Sequence, residues 1–239
     1  GESNAGRAAQ YVDLFPHLIR TWRQKWAQGP FPFYFVQLAN FRERADSPGE
    51  SNWAELREAQ RLTLDLENTG MAVAIDVGEA DDIHPGNKQA VGKRLALWAL
   101  AQTYSVTESK GWVAKIPLLG RMFRNPIPHS GPLYKSVKAK KGTLRVRFDH
   151  TSGGLTTTDG KAPVSFAIAE EDGPFRWAEA EIISDDTVQL SHPEMETPRH
   201  VRYAWANNPA VNLVNGAGLP ASPFRTDTRP WTTAEEDTD

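Results

Sequence analysis

The sequence predicts an α/β unit followed by an all-β one. Up to about residue 105, three segments with apolar residues at helical spacing alternate with two short runs that are apolar on both faces. From Lys135 onward the runs are short and alternating, separated by clusters of Gly, Asp, Ser and Pro. The divisions that follow are an α/β part at 1–105, an insert or linker at 106–134, a β-sandwich-like part at 135–232 and an acidic tail at 233–239.

Taken in order, Tyr11, Leu14, Phe15, Leu18, Ile19, Trp22 and Trp26 recur every three or four residues between Gln10 and Ala27, which predicts one apolar helical face. Gly29-Pro30 ends that helix. Phe33 to Leu38 is aromatic and β-branched with no polar side, as in a buried parallel strand. A polar loop follows from Asn40 to Gly49, and Asn52-Trp53-Ala54-Glu55 reads as an N-cap with a glutamate three residues on. The helix that it starts should reach about Glu67, where Asn68-Thr69-Gly70 stops it. Met71 to Asp76 is the second buried strand. From Asn87 to Tyr104 a third helix places Val91, Leu95, Trp98 and Gln102 on one side and leaves Lys88, Lys93 and Arg94 solvated.

Gly111 to Ser130, with Lys115, Arg121 and Arg124, reads as an exposed basic loop whose charges are solvated surface. Strands are then expected at Thr143–Phe148, Ser165–Ala169, Ala180–Ile183, Thr187–Leu190 and His200–Trp205, with turns at Ser152-Gly153-Gly154, Asp159-Gly160 and Ser184-Asp185-Asp186.

Composition excludes some functions. A formal net charge of -3 creates no global field to draw nucleic acid or an anionic membrane surface. The absence of cysteine rules out disulfides and thiolate metal sites. The longest apolar helical run, Leu95 to Ala101, is far shorter than the roughly 20 residues of a membrane span.

Chemistry is expected first in the loop Gly78–Gly86, just beyond the C-terminal end of the second strand, where open α/β sheets bind ligands. It holds Asp81-Asp82-Ile83-His84. His84 is placed to act as a general base, with a carboxylate fixing its tautomer and stabilising the imidazolium. Asp81 has the three-residue separation that folds an oxygen back onto the ring, and Asp82 needs a tighter turn. Two other readings stand beside this one: both aspartates cap a helix beginning near Pro85, or all three side chains bind a metal, although no second histidine lies at ligand spacing.

Gly1-Glu2-Ser3-Asn4 precedes the first helix, and such a polar loop can present backbone N–H groups and an Asn amide to a developing oxyanion. Ser3 as nucleophile would use a Gly-x-Ser pattern that lacks its second glycine and an upstream strand. Capping of the first helix is the structural alternative. The third feature pairs Val201–Pro209 with Leu219–Asp227, whose aromatic, Asn and Arg residues either stack on a sugar or serve as core and turns.

Together these stretches resemble the sialate O-acetylesterase family, within the SGNH-type hydrolases. The resemblance is carried by Gly1-Glu2-Ser3-Asn4-Ala5, Phe35-Val36-Gln37-Leu38-Ala39-Asn40-Phe41, the Asp82-Ile83-His84-Pro85-x-Asn87-Lys88 loop, Ser130-Gly131-Pro132-Leu133-Tyr134, and the run from Arg202-Tyr203-Ala204-Trp205 to Pro223-Phe224-Arg225-Thr226-Asp227. It implies part of an SGNH-type three-layer parallel sheet followed by a β-sandwich-like domain. It also implies a serine esterase that removes O-acetyl groups from sialic acid or related sugars without metal or organic cofactor, in a periplasmic or secreted setting. In that family His84 corresponds to the catalytic histidine, and Gly1 and Asn4 correspond to oxyanion-hole residues. Asp82 fits the family's Asp-Ile-His wording, whereas Asp81 fits the Asp-x-x-His spacing of the wider group.

The family's nucleophile block, a Gly-Gln-Ser-Asn-like stretch well upstream of this motif, has no counterpart in these residues. The expected partner is therefore an N-terminal portion of the same protein carrying the serine, and the 239 residues alone are expected to be inactive and to expose apolar strand edges. A non-catalytic carbohydrate-binding or interaction fragment, and an acetylesterase for another glycan, remain the alternatives.

Overall fold

A computed structural model describes residues 1–108 and 125–234. The basic-loop reading of Lys115, Arg121 and Arg124 and the acidic-tail reading of 235–239 lie outside the described residues.

A 3-10 turn (Glu2–Arg7) leads into α1 (Ala8–Trp26). Strand β1 (Phe33–Val36) follows, then α2 (Asn52–Leu62), β2 (Thr69–Ala72) and α3 (Lys88–Trp98), which ends in a π-turn. The two strands pair in parallel, Phe33 with Thr69 and Val36 with Ala72. Successive strand side chains point to opposite faces. Phe35 accordingly meets Phe15 of α1 edge-on at 4.9 Å, while Tyr34 faces Trp98 of α3 at 6.3 Å. Helices therefore cover both faces of the pair. Gly70 is required in β2, because a Cβ there would fall 2.5 Å from the Trp98 ring.

The apolar residues of α1 do not share one fate. Tyr11, Phe15 and Ile19 are buried, whereas Leu14, Leu18, Trp22 and Trp26 form an exposed stripe at four-residue spacing. Among them lies a buried Arg23, whose guanidinium donates to the carbonyls of Phe31, Glu67 and Asn68 and so fastens α1 to both strand entrances. The N-cap of α2 is Ser51 rather than Asn52, since its hydroxyl accepts the Ala54 N–H at 3.1 Å. Glu55 makes no capping box. It is fully buried and accepts N–H and O–H groups from Thr232 and Thr233, which straps the end of the described chain onto α2. Nor is Arg94 solvated: it donates to the Val73 carbonyl and forms a two-pronged pair with Asp76.

Beyond α3, β3 (Thr107–Glu108) pairs with β4 (Asn125–Pro126). The β part opens with β5 (Leu133–Lys140), which starts inside the stretch expected to be linker, followed by β6 (Thr143–Asp149), β7 (Leu155–Thr157), β8 (Phe166–Ala169), β9 (Arg176–Trp177), β10 (Glu179–Ser184), β11 (Thr187–Ser191), β12 (His200–Tyr203), β13 (Leu213–Asn215) and β14 (Phe224–Arg225). They form two four-stranded antiparallel sheets, ordered β10-β11-β6-β5 and β14-β12-β8-β9, and a β13-β7 pair. Phe148 of β6 and Phe224 of β14 meet edge-on at 5.9 Å, so the two sheets share a core.

That core is continuous with the α/β part, running from Phe15, Trp53 and Leu56 to Phe166, Tyr203 and Phe224. Arg57, fully buried on α2, staples the two halves by donating to the carbonyls of Leu38 and Ala39 on one side and Ala206 and Asn207 on the other, at 2.7–2.9 Å. These four carbonyls lie in loops outside the strand ladders, and one guanidinium reaches them all, with the Trp53 indole N–H also donating to Ala39 and the Phe41 N–H to Asn207.

Candidate active site

The chain leaves β2 through the buried residues Val73, Ala74 and Ile75 and turns outward at Asp76. The loop that follows is tied down at three points. Gly78 donates its N–H to the side-chain oxygen of Asn40 at 2.7 Å, the Ala80 carbonyl accepts from the Arg42 N–H at 2.9 Å, and Gly86 donates to the Glu79 carboxylate at 2.8 Å. A loop held at its ends in this way presents its middle, Asp81 to His84, at the C-terminal end of the parallel strands.

Within it, Asp82 accepts the His84 backbone N–H at 2.8 Å and lies 3.3 Å from His84 Nδ1 with the same oxygen. The tighter turn that Asp82 needed is thus formed by its own hydrogen bond to the backbone two residues on. That N–H, with the His84 ring as a weaker contributor, holds the Asp82 carboxyl below its usual range. Asp81 is exposed and makes no contact with the ring. Neither aspartate caps a helix, because α3 starts at Lys88 and its cap is Asn87, whose side chain accepts the Ala90 N–H. The His84 side chain is 83% exposed, and among the described residues its Nε2 has no partner.

The N-terminal block lies close by. Glu2 is held below the ordinary carboxylate range first by a backbone N–H, then by the Ser3 hydroxyl, and also by the charge of His84, which puts these distant positions within electrostatic reach. Gly1 and Asn4 close the turn, with the Asn4 N–H donating to the Gly1 carbonyl at 3.0 Å. Ser3 points its hydroxyl at Glu2, at 3.1 Å, and not at His84. The arrangement therefore brings His84, Asp82 and the Gly1–Asn4 turn to one end of the α/β part, and leaves Asp81 and Ser3 out of contact with the imidazole.

The metal alternative finds no ligand set: the described residues contain no group of three or more His, Asp or Glu able to hold an ion. The third stretch is core. Trp205 is 5% exposed, and the buried Arg202 is paired with Asp227 at 2.9 Å between the rings of Phe175 and Trp205. Sequence reasoning assigned no role to Asn40 and Asn208, whose side chains join at 2.7 Å behind the His84 loop. The signal available was the Leu38-Ala39-Asn40-Phe41 wording, which names the residue but not its contact.

Chemically, an imidazole with a carboxylate at Nδ1 and a free Nε2 is arranged to take a proton from a hydroxyl and return it to a leaving oxygen. Among the described residues no helix is long and apolar enough to cross a membrane.

No family model matches the sequence. The sialate O-acetylesterase of Mus musculus is 30% identical over 253 residues, covering 94% of this chain and 42% of its own length. That of Rattus norvegicus is 35% identical over 254 residues, with 94% and 42% covered. A crystal structure of a carbohydrate acetylesterase from Xanthomonas citri superposes with a TM-score of 0.82 at 39% identity, over 96% of this chain and 49% of that one. The chain spans about two fifths of the length of the curated relatives that it matches. By sequence along nearly its whole length and by fold, the chain belongs to the sialate O-acetylesterase-like family.

Proposed function

We propose that this chain is the histidine-bearing part of a carbohydrate O-acetylesterase acting on sialic acid or a related sugar. The observation that carries the reading is the contact of Asp82 with His84 Nδ1 at the strand ends, beside the Gly1–Asn4 turn. His84 Nε2 removes the proton of a serine hydroxyl, the serine oxygen attacks the acetyl carbonyl, and the resulting oxyanion is received by Gly1 and Asn4. The tetrahedral intermediate collapses as His84 returns the proton to the sugar oxygen, leaving an acetyl-serine. Water, deprotonated by the same imidazole, then releases acetate.

The serine belongs to a further portion of the protein, outside the described residues. Four observations support that placement. His84 is far more exposed than a base shielded for acyl transfer, and β1 and β2 each keep an unpaired edge among the described residues. The Leu14-Leu18-Trp22-Trp26 stripe is an apolar surface of the kind that a further layer covers. The relatives have more than twice the matched length.

The test is acetate release from an O-acetylated sialoside by the longer chain and by the 239 residues alone. Turnover by the longer chain, lost in His84→Ala, is the expected outcome, with none from the shorter one. Turnover that survives His84→Ala would overturn the reading, and activity of the 239 residues abolished by Ser3→Ala would move the nucleophile to Ser3.

A further inference from the structure

The start of α1 has no cap of its own. Its N-cap position is Arg7, whose backbone (φ -139°, ψ 41°) lies outside the helix and whose side chain makes no capping bond. The first N–H groups of a helix have no partner within it, and a short oxygen-bearing side chain at the N-cap normally supplies one. Arginine carries only donors and cannot. The acceptor comes instead from the other end of the described chain: Thr233 Oγ1 accepts the Ala9 N–H at 3.0 Å, across 224 positions.

Thr233 is itself held from behind. Its hydroxyl donates to Glu55 Oε2 at 2.6 Å and its backbone N–H to the same oxygen at 3.1 Å, while Thr232 gives its N–H and hydroxyl to Oε1 at 2.6 and 2.9 Å. Trp231 packs against the core and closes a turn by accepting the Ala234 N–H at 3.1 Å. Thr233, expected from sequence to open an acidic tail, is therefore built into the fold. A hydroxyl that donates to a carboxylate is a better acceptor, because successive hydrogen bonds polarise one another. The buried carboxylate of Glu55 also stands one hydroxyl away from the positive end of α1.

These bonds make a relay from Glu55 on α2, through Thr233, to Ala9 in the first turn of α1. What precedes that turn is Gly1–Asn4. The 3-10 segment Glu2–Arg7 runs into α1 without a loop, Ala5 and Ala8 are buried, and the chain changes direction at Arg7, two residues before the Ala9 bond. At roughly 2 Å per residue of a 3-10 helix, Asn4 stands about 10 Å along the chain from Ala9, so a swing of about six degrees about Ala9 moves it by about 1 Å. A displacement of that size matters to a group that must meet a developing charge.

We propose that Thr233 is a positioning residue for the oxyanion turn: anchored on Glu55 and capping α1 at Ala9, it fixes the direction in which Gly1 and Asn4 are presented. The proposal rests on the oxyanion role given to that turn in the esterase reading. Thr232 shares the carboxylate of Glu55, makes no bond to α1 and lies outside the relay.

The test compares three variants of the longer chain: Thr233→Val, which keeps the shape and removes the hydroxyl, Thr233→Ser, which restores it, and Thr232→Val. Hydrogen–deuterium exchange over residues 1–9 needs no turnover, and Thr233→Val should speed it by about fivefold at Ala9, with the other two variants near wild type. On 4-nitrophenyl acetate Thr233→Val is expected to lower kcat by about tenfold with KM little changed. It should weaken inhibition by methylboronic acid by the same factor, because the tetrahedral adduct of that probe with serine places an oxygen where the oxyanion forms. Thr233→Ser should recover most of both, and Thr232→Val should keep both. A loss of stability alone, measured well below the unfolding midpoint, would not move kcat and boronate inhibition together while sparing KM. Unchanged exchange at Ala9, faster exchange with kcat and boronate inhibition intact, or equal losses in Thr232→Val would overturn the positioning role. Thr233-dependent exchange in a longer chain whose turnover survives His84→Ala removes the esterase reading alone and leaves the cap of α1 standing.

Discussion

Asn40 and Asn208, 168 positions apart, join side chain to side chain at 2.7 Å, and the Asn40 side-chain oxygen accepts the Gly78 N–H at the root of the His84 loop. One amide thus sets the position of the loop relative to both the end of β1 and the β part. A Cβ at Gly78 would fall 1.9 Å from the Asn40 carbonyl oxygen, so no larger residue fits without moving the pair. Gly78→Ala or Asn40→Ala in the longer chain should lower kcat by about a hundredfold with a smaller effect on KM, as expected when a catalytic group is displaced by about 1 Å. Steady-state kinetics on an acetyl ester checks this.

Asp82 and Asp81 differ by one position and have different surroundings. Since Asp82 meets both the backbone and the ring of His84 and Asp81 meets neither, Asp82→Asn should reduce kcat on the order of a hundredfold or more, with Asp81→Asn near wild type. The backbone N–H that holds the Asp82 carboxyl low keeps it ionised through the range where an imidazole titrates. Steady-state kinetics of the two variants on an acetyl ester checks this.

Arg57 predicts a stability effect without a direct catalytic one. Burial pulls its guanidinium down to about 9, which leaves it charged at neutral pH among four carbonyl acceptors. Arg57→Met would strand the Leu38 and Ala206 carbonyls, while those of Ala39 and Asn207 keep the Trp53 indole and Phe41 backbone N–H groups, and should cost about 3 kcal/mol in urea unfolding. Arg57→Lys should recover little, since one ammonium cannot span acceptors on two loops.

Asp186 gives a pH dependence. The Thr187 hydroxyl, then Arg147 and the Ser184 hydroxyl, bring its carboxyl down to about 2 from an ordinary 3.8. A carboxyl depressed in the folded state contributes stability that is complete above its unfolded value and lost as pH falls through the folded one. Thermal midpoints should therefore decline between about pH 4 and about pH 2, and Asp186→Asn should flatten that decline while lowering the midpoint at neutral pH. Because Arg147 and Asp186 are partly exposed, water screens the pair and the effect is modest.

Much of the local structure was legible in the chain. Three-four spacing placed α1 and α3, a two-sided apolar run placed β1, and turn clusters marked the joints of the β part, because these signals follow from backbone geometry over a few residues; β2 was expected at Met71–Asp76 but pairs over Thr69–Ala72, the buried Val73–Ile75 continuing beyond the ladder. Small displacements came from local competition. Ser51 displaced Asn52 as a cap because its hydroxyl reaches the Ala54 N–H.

The sequence by itself determined the order of helices and strands, the loop that carries His84 and the family that its motifs resemble. Only the tertiary structure decided which half of the α1 stripe is buried, that Arg94 and Arg57 serve buried carbonyls, that Asp82 reaches the His84 ring, and that the Gly1–Asn4 turn lies within its field. The physical reason is one of range. Periodicity records the next turn of a helix or the next pleat of a strand, whereas the contacts of Asn40 with Asn208 and of Arg57 with Ala206 exist only after distant loops bring otherwise unsatisfied polar groups together in the interior.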